Sequence, residues 1–181
     1  MAEGEFVRAR VLVSLLILTA VACGPTEEPD PSPTSPGSSP SEPSPQAETV
    51  KIFLAAPGSE NCAEVVAVDR EVGGRPTLRT GMEQLLAGPT DEEKARGLGG
   101  WFSEATRDLL ISAERDGDVA RVDFKDLRDV IPNASSSCGS AGLLAQLDST
   151  AKQFGASRTL YSINGDLDTF YNWLQLTTPE P

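Results

Sequence analysis

The chain has 181 residues, with 27 Asp and Glu against 15 Lys and Arg, a formal net charge of −12 at pH 7 and no histidine. That balance argues against a nucleic-acid partner, whose phosphates call for a basic face. The missing imidazole removes Ser-His-Asp and Cys-His catalysis and histidine zinc sites, which leaves a binding module or hydrolysis through paired carboxylates.

An apolar run, Val11 to Val21, opens the chain and is too short to span a bilayer, which takes about 20 apolar residues. It ends in small residues, Ala20-Val21-Ala22-Cys23, which resemble the lipobox of bacterial lipoproteins. The resemblance implies that residues 1–22 are a cleaved signal peptide and that the Cys23 thiol carries a diacylglyceryl group with palmitate-type chains. The mature protein is then expected to sit extracytoplasmically, lipid-anchored on the outer face of the cytoplasmic membrane. The competing reading is an ordinary secretory signal whose cleavage site happens to contain a cysteine. Glu3 and Glu5 offset Arg8 and Arg10 in a region that is normally positive; a start near Val7 would leave Val7-Arg8-Ala9-Arg10 as a basic leader.

Residues 23–49 read as the lipidated cysteine followed by a disordered linker. From Gly24 to Thr49 the chain is mostly Pro, Ser, Thr and Glu, with no aromatic or basic residue, so it cannot bury a core. In extended polyproline geometry, at about 3.1 Å per residue, it holds the rest of the chain off the lipid surface. The prolines could instead serve an aromatic-lined groove, but a spacer directly after a lipid site accounts for them more simply. Anionic headgroups repel so acidic a chain, and the acyl chains have to do the anchoring.

Residues 50–181 have the length of one domain and carry 20 Asp and Glu against 13 Lys and Arg. Cys62 and Cys138 are the two cysteines left after Cys23. In an oxidising compartment such a pair is expected to be joined; the alternative is two free thiols with no histidine to activate either.

Taken in chain order, Val50-Lys51-Ile52-Phe53-Leu54 predicts a strand buried on both faces, and Glu64 to Glu71 a second strand rich in β-branched residues. Pro76-Thr77 opens a helix with Leu78, Met82, Leu85 and Leu86 on one stripe, ended by Gly88-Pro89. Thr90 and Glu93 form a capping box for a short helix that ends by Gly97. Leu109 to Glu114 and Asp118 to Phe124 flank Asp116-Gly117, a hairpin signal. The hairpin acids do not have calcium-loop spacing. Ser140 to Phe154 reads as a long helix with Leu143, Leu144, Leu147, Ala151 and Phe154 inward. Arg158 to Ile163 reads as a strand, Asn164 to Asp168 as its end and the cap of the next element, and Phe170 to Leu174 as a terminal helical turn. The alternation predicts a compact two-layer α/β (α+β) domain in which two main helices cover a mixed sheet.

Several pieces in this order resemble the sporulation and spore germination domain called GerMN. They include Leu85-Leu86-Ala87-Gly88-Pro89 followed by Thr90 and Glu93, the Asp116-Gly117 hairpin into Val122-Asp123-Phe124, Leu147-Asp148-Ser149-Thr150 with Gln153-Phe154, and Tyr161-Ser162-Ile163-Asn164-Gly165. The two cysteines and Phe170-Tyr171-Asn172-Trp173 are similar to actinobacterial single-domain versions. The resemblance implies a non-catalytic envelope module without cofactor, metal or catalytic residues, binding an envelope or cell-wall-associated protein; oligomeric state is left open. Two other classes stay in view: a carbohydrate or peptidoglycan binder stacking sugars on Trp101, Phe102, Tyr171 and Trp173, and a hydrolase with two carboxylates about 5 to 10 Å apart.

Overall fold

The computed structural model describes residues 47–180; the expected signal peptide, the expected lipidation site Cys23 and nearly all of the expected linker lie outside the described residues. Strand β1, Glu48–Ala55, pairs antiparallel with β2, Val65–Val72. The ribbon begins two residues before Val50, because Glu48 and Thr49 pair with Val72 and Glu71 while their side chains stay exposed. Thr77 then caps α1, Leu78–Leu86, and Thr90 caps α2, Asp91–Ala95. A 3-10 turn, Glu104–Thr106, leads into β3, Leu110–Asp116, which turns back into β4, Val119–Phe124. Helix α3, Ser137–Lys152, crosses over to β5, Arg158–Ile163, and α4, Leu167–Trp173, comes last.

The strands form two sheets: β1-β2, and β3-β4-β5. The second is mixed, since β4 pairs antiparallel with β3 and parallel with β5. A parallel pair needs a crossover, and α3 supplies it. Helix α1 packs on β1 and β3, while α3 packs on β1, β5 and α1, so these two helices join both sheets around one core. Ile52, Leu54, Met82, Leu85, Phe124, Leu143, Leu147 and Phe170 are among its fully buried members.

Local chemistry decides several ends. Ser136 caps α3 three residues earlier than hydrophobic periodicity alone predicts, its hydroxyl accepting from the Gly139 N–H at 3.0 Å. Asp166 caps α4. One expectation changes: β1 is buried on one face only. Val50, Ile52 and Leu54 point into the core, whereas Lys51 is exposed and Phe53 half-buried on the other side. A two-stranded ribbon covered by helices on one face has no second layer to bury the other.

Candidate interaction surface

Arg70 is the most heavily used side chain of the ribbon. Its Nε donates to Glu93 Oε1 at 3.1 Å and its Nη2 to Glu93 Oε2 at 2.5 Å. Its remaining donors reach the carbonyls of Gln84, at 3.0 Å, and Gly88, at 2.9 Å. Those carbonyls belong to the end of α1, where helical partners run out. Glu93 in turn accepts from the Thr90 N–H at 2.7 Å. One guanidinium thus ties β2, the end of α1 and the start of α2 together, with both charged side chains about nine-tenths buried. Burial pushes the Glu93 carboxyl up, but the hydrogen bonds from Arg70 and Thr90, with the Arg70 charge, outweigh it and hold Glu93 below its ordinary value.

The chain turns between the two helices at Gly88, where φ is 73°, a region that favours glycine. A Cβ there would stand 2.6 Å from the Phe102 carbonyl oxygen and 2.6 Å from the Ser103 Cα. Backbone on both sides leaves nothing flexible to give way. The Thr106 hydroxyl locks the same corner by donating to the Leu86 carbonyl at 2.6 Å.

The free edge of β1 is closed by α3. Lys51 N–H donates to Gln153 Oε1 at 3.1 Å, and Gln153 Nε2 donates back to the Lys51 carbonyl at 2.5 Å. Gln146 Nε2 donates to the Phe53 carbonyl at 3.1 Å while its Oε1 accepts from Trp101 N–H at 2.9 Å. Ala55 exchanges two hydrogen bonds with Gly99. Two glutamine side chains and an isolated bridge therefore take the place of a third strand, and this edge is not available to a partner. Gln146 is fully buried. Gln146→Leu is expected to lower stability by about 1–3 kcal/mol, the cost of leaving buried partners unsatisfied, read as a shifted urea midpoint with an unchanged slope.

The four aromatic residues singled out as a sugar platform do not form one. Phe102 and Tyr171 are buried, and Trp173 packs edge-on against Phe170 with centroids 5.9 Å apart. Trp101 lies over α3 where Gly142 leaves room for it: a Cβ on Gly142 would come within 2.8 Å of Trp101 Nε1 and of the Cys62 carbonyl oxygen. They belong to the packing of separate elements.

Among the described residues the acids Glu93 and Asp148 are engaged in structural contacts. Glu93 is the one buried carboxylate among the described residues, and its pKa moves down, opposite to what a general acid needs. Asp148 is half-buried and accepts from the Thr159 hydroxyl at 2.6 Å and the Tyr161 hydroxyl at 2.8 Å, fastening α3 to β5. Among the described residues no group of three or more His, Cys, Asp or Glu is placed to hold a metal, and no helix is long and apolar enough to cross a membrane.

Cys62 and Cys138 are joined, with Cα atoms 5.3 Å apart, and the bond fastens the β1–β2 loop to the first turn of α3. The roles of Arg70, Gln146 and Gln153 are what sequence reasoning missed; Gln153 entered it only as part of the family resemblance. A glutamine inside the Leu143–Leu147 stripe of α3 is the signal that could have marked Gln146.

The paired sheets, the crossover helix and a polar framework devoted to joining elements define a small α/β module. The family model for sporulation and spore germination, the Germane or GerMN domain, matches residues 51–166, and the chain belongs to this family. It is not a known enzyme family. No curated protein and no solved structure matches the chain.

Proposed function

We propose that this protein is an extracytoplasmic lipoprotein, anchored to the outer face of the cytoplasmic membrane through Cys23, whose GerMN domain is a non-catalytic module that binds an envelope or cell-wall-associated protein. The observation that carries the reading is the contrast between the two edges of the β1-β2 ribbon: side chains from α3 close one, and the other has no backbone partner among the described residues. The family match supports a non-catalytic domain with a sporulation or spore-germination connection. The Ala20-Val21-Ala22-Cys23 sequence and the Pro-rich spacer support the tether.

The anchor is tested by intact mass and detergent-phase partitioning of the protein from native membranes. The wild type is expected in the detergent phase with a diacylglyceryl mass on an amino-terminal Cys23, and Cys23→Ala in the aqueous phase. A wild-type protein found soluble and unlipidated overturns the tether and returns the chain to the secreted class.

A further inference from the structure

The open edge of the ribbon can be read residue by residue. The Lys51 N–H bonds outward to Gln153 and Ala55 bonds outward to Gly99, whereas the Ala56 N–H donates to the Glu64 carbonyl across the ribbon. Backbone directions alternate along a strand, so the β1 positions that face β2 are Val50, Ile52 and Leu54. Their partners Arg70, Val68 and Val66 face back. Val65, Ala67, Asp69 and Glu71 therefore aim their N–H and C=O groups away from the sheet, and among the described residues none of these groups has a hydrogen-bond partner.

A groove of about 330 Å³ runs along this edge, with β2 as one wall and α2 with its cap as the other. Its lining includes Asp69, Glu71, Glu92 and Glu93 against Arg70 and Arg96. Arg70 and Glu93 neutralise each other, and Asp69 pairs with Lys51 at 2.7 Å. Glu71 and Glu92 have no ion pair among the described residues, both are exposed, and the groove is acidic on balance. At the other end of the edge, Val65 and Ala67 sit beside Ala55 and Phe53 on the outer face of the ribbon. That face lies outside the helices that cover the core.

We propose that the outer edge of β2 is a strand-addition site for an extended segment of a partner protein, with basic residues meeting Glu71 and Glu92 and apolar residues meeting Val65 and Ala67. The inference rests on the proposed interaction role and names its surface and partner chemistry. Main-chain hydrogen bonds to an exposed edge give affinity, and alternate side chains give specificity. A third strand also relieves a two-stranded ribbon of its marginal character. Charge selects among the possible occupants. The chain's own linker, residues 24–49, has five acids and no basic residue, so the groove repels it. A second copy would bring another Asp69 and Glu71 to the same seam.

The probe is a synthetic peptide in which Thr alternates with Val in one half and with Lys in the other, compared with its Lys→Glu counterpart. Each is titrated into the full chain with amide hydrogen exchange as readout. The basic peptide is expected to protect the amides of Val65, Ala67, Asp69 and Glu71 and to bind about tenfold tighter than the acidic one, as two exposed charge pairs provide. Ala67→Pro removes an outward N–H that takes no part in the β1 ladder, and proline is tolerated at such edge positions; it is expected to abolish binding, while Ala67→Thr retains it. Should Ala67→Pro perturb the fold, the double variant Glu71→Lys, Glu92→Lys is expected to invert the charge preference. Protection elsewhere, indifference to peptide charge, no protection by either peptide, or a dimer formed through β2 overturns the proposal. If instead an envelope protein cross-links to the domain through another face, the strand-addition site fails and the interaction reading stands. If no envelope protein cross-links at all, the interaction reading itself fails.

Discussion

Replacing Arg70 with alanine is expected to lower the stability of the domain by about 3–5 kcal/mol, the range for removing one partner of a buried ion pair. Glu93 would be left buried without its cation, and the Gln84 and Gly88 carbonyls would lose their charged donors. The same change has a distinctive pH signature. In the wild type the Glu93 carboxyl is held below its ordinary value, so its contribution is present above the unfolded value of about 4.3 and is lost as pH falls through the lower folded value. Without Arg70, only the Thr90 hydrogen bonds oppose burial, so the Glu93 pKa rises relative to the wild type and protonation at low pH relieves the variant of an unpaired buried charge. Urea unfolding of both proteins at pH 7 and pH 4 should show the gap between them narrowing at the lower pH. An equal gap at both values would mean that Arg70 acts through packing and the helix-end carbonyls rather than through Glu93.

The second large effect concerns the Cys62–Cys138 bond. It closes a loop with a sequence separation of 76, and in the chain-entropy model its loss lowers stability by about 4 kcal/mol. Unfolding with and without a reductant measures it, as does the double variant Cys62→Ala, Cys138→Ala, and the two should agree. The bond lies at the end of the molecule where the β1–β2 loop meets α3, so local opening on reduction is expected first around residues 56–64. A midpoint unmoved by reduction would show that the Ser136 cap and the Gln146 bridge already fix that corner.

Much of the fold was legible where the sequence speaks locally. The Asp116-Gly117 turn, the Thr90–Glu93 capping box and the Asn164 to Asp166 turn into α4 are each settled by residues within a few positions of one another. The burial of β1 on one face was not legible, because Phe53 is as apolar as its neighbours and only the absence of a second layer leaves it outside. The division of the strands into two sheets depends on where α1 and α3 dock, a tertiary outcome no strand pattern encodes. The candidate surface was less accessible still. Arg70 reads as an ordinary strand residue until the ends of two helices converge on it, and Gln146 and Gln153 reveal their edge-closing role only when α3 lies alongside β1. The acidic character of β2 and the lack of any basic residue in the linker were, by contrast, plain in the sequence.

The measurement that bears most directly on the account is cross-linking mass spectrometry on native membranes, comparing wild type with Cys23→Ala. A tethered interaction module predicts reproducible cross-links from the GerMN domain to one or a few envelope proteins, concentrated on Lys51, which pairs with Asp69 of β2, and their loss when the anchor is removed. Cross-links that persist unchanged in Cys23→Ala, or a wild-type domain with no envelope neighbour, would contradict it.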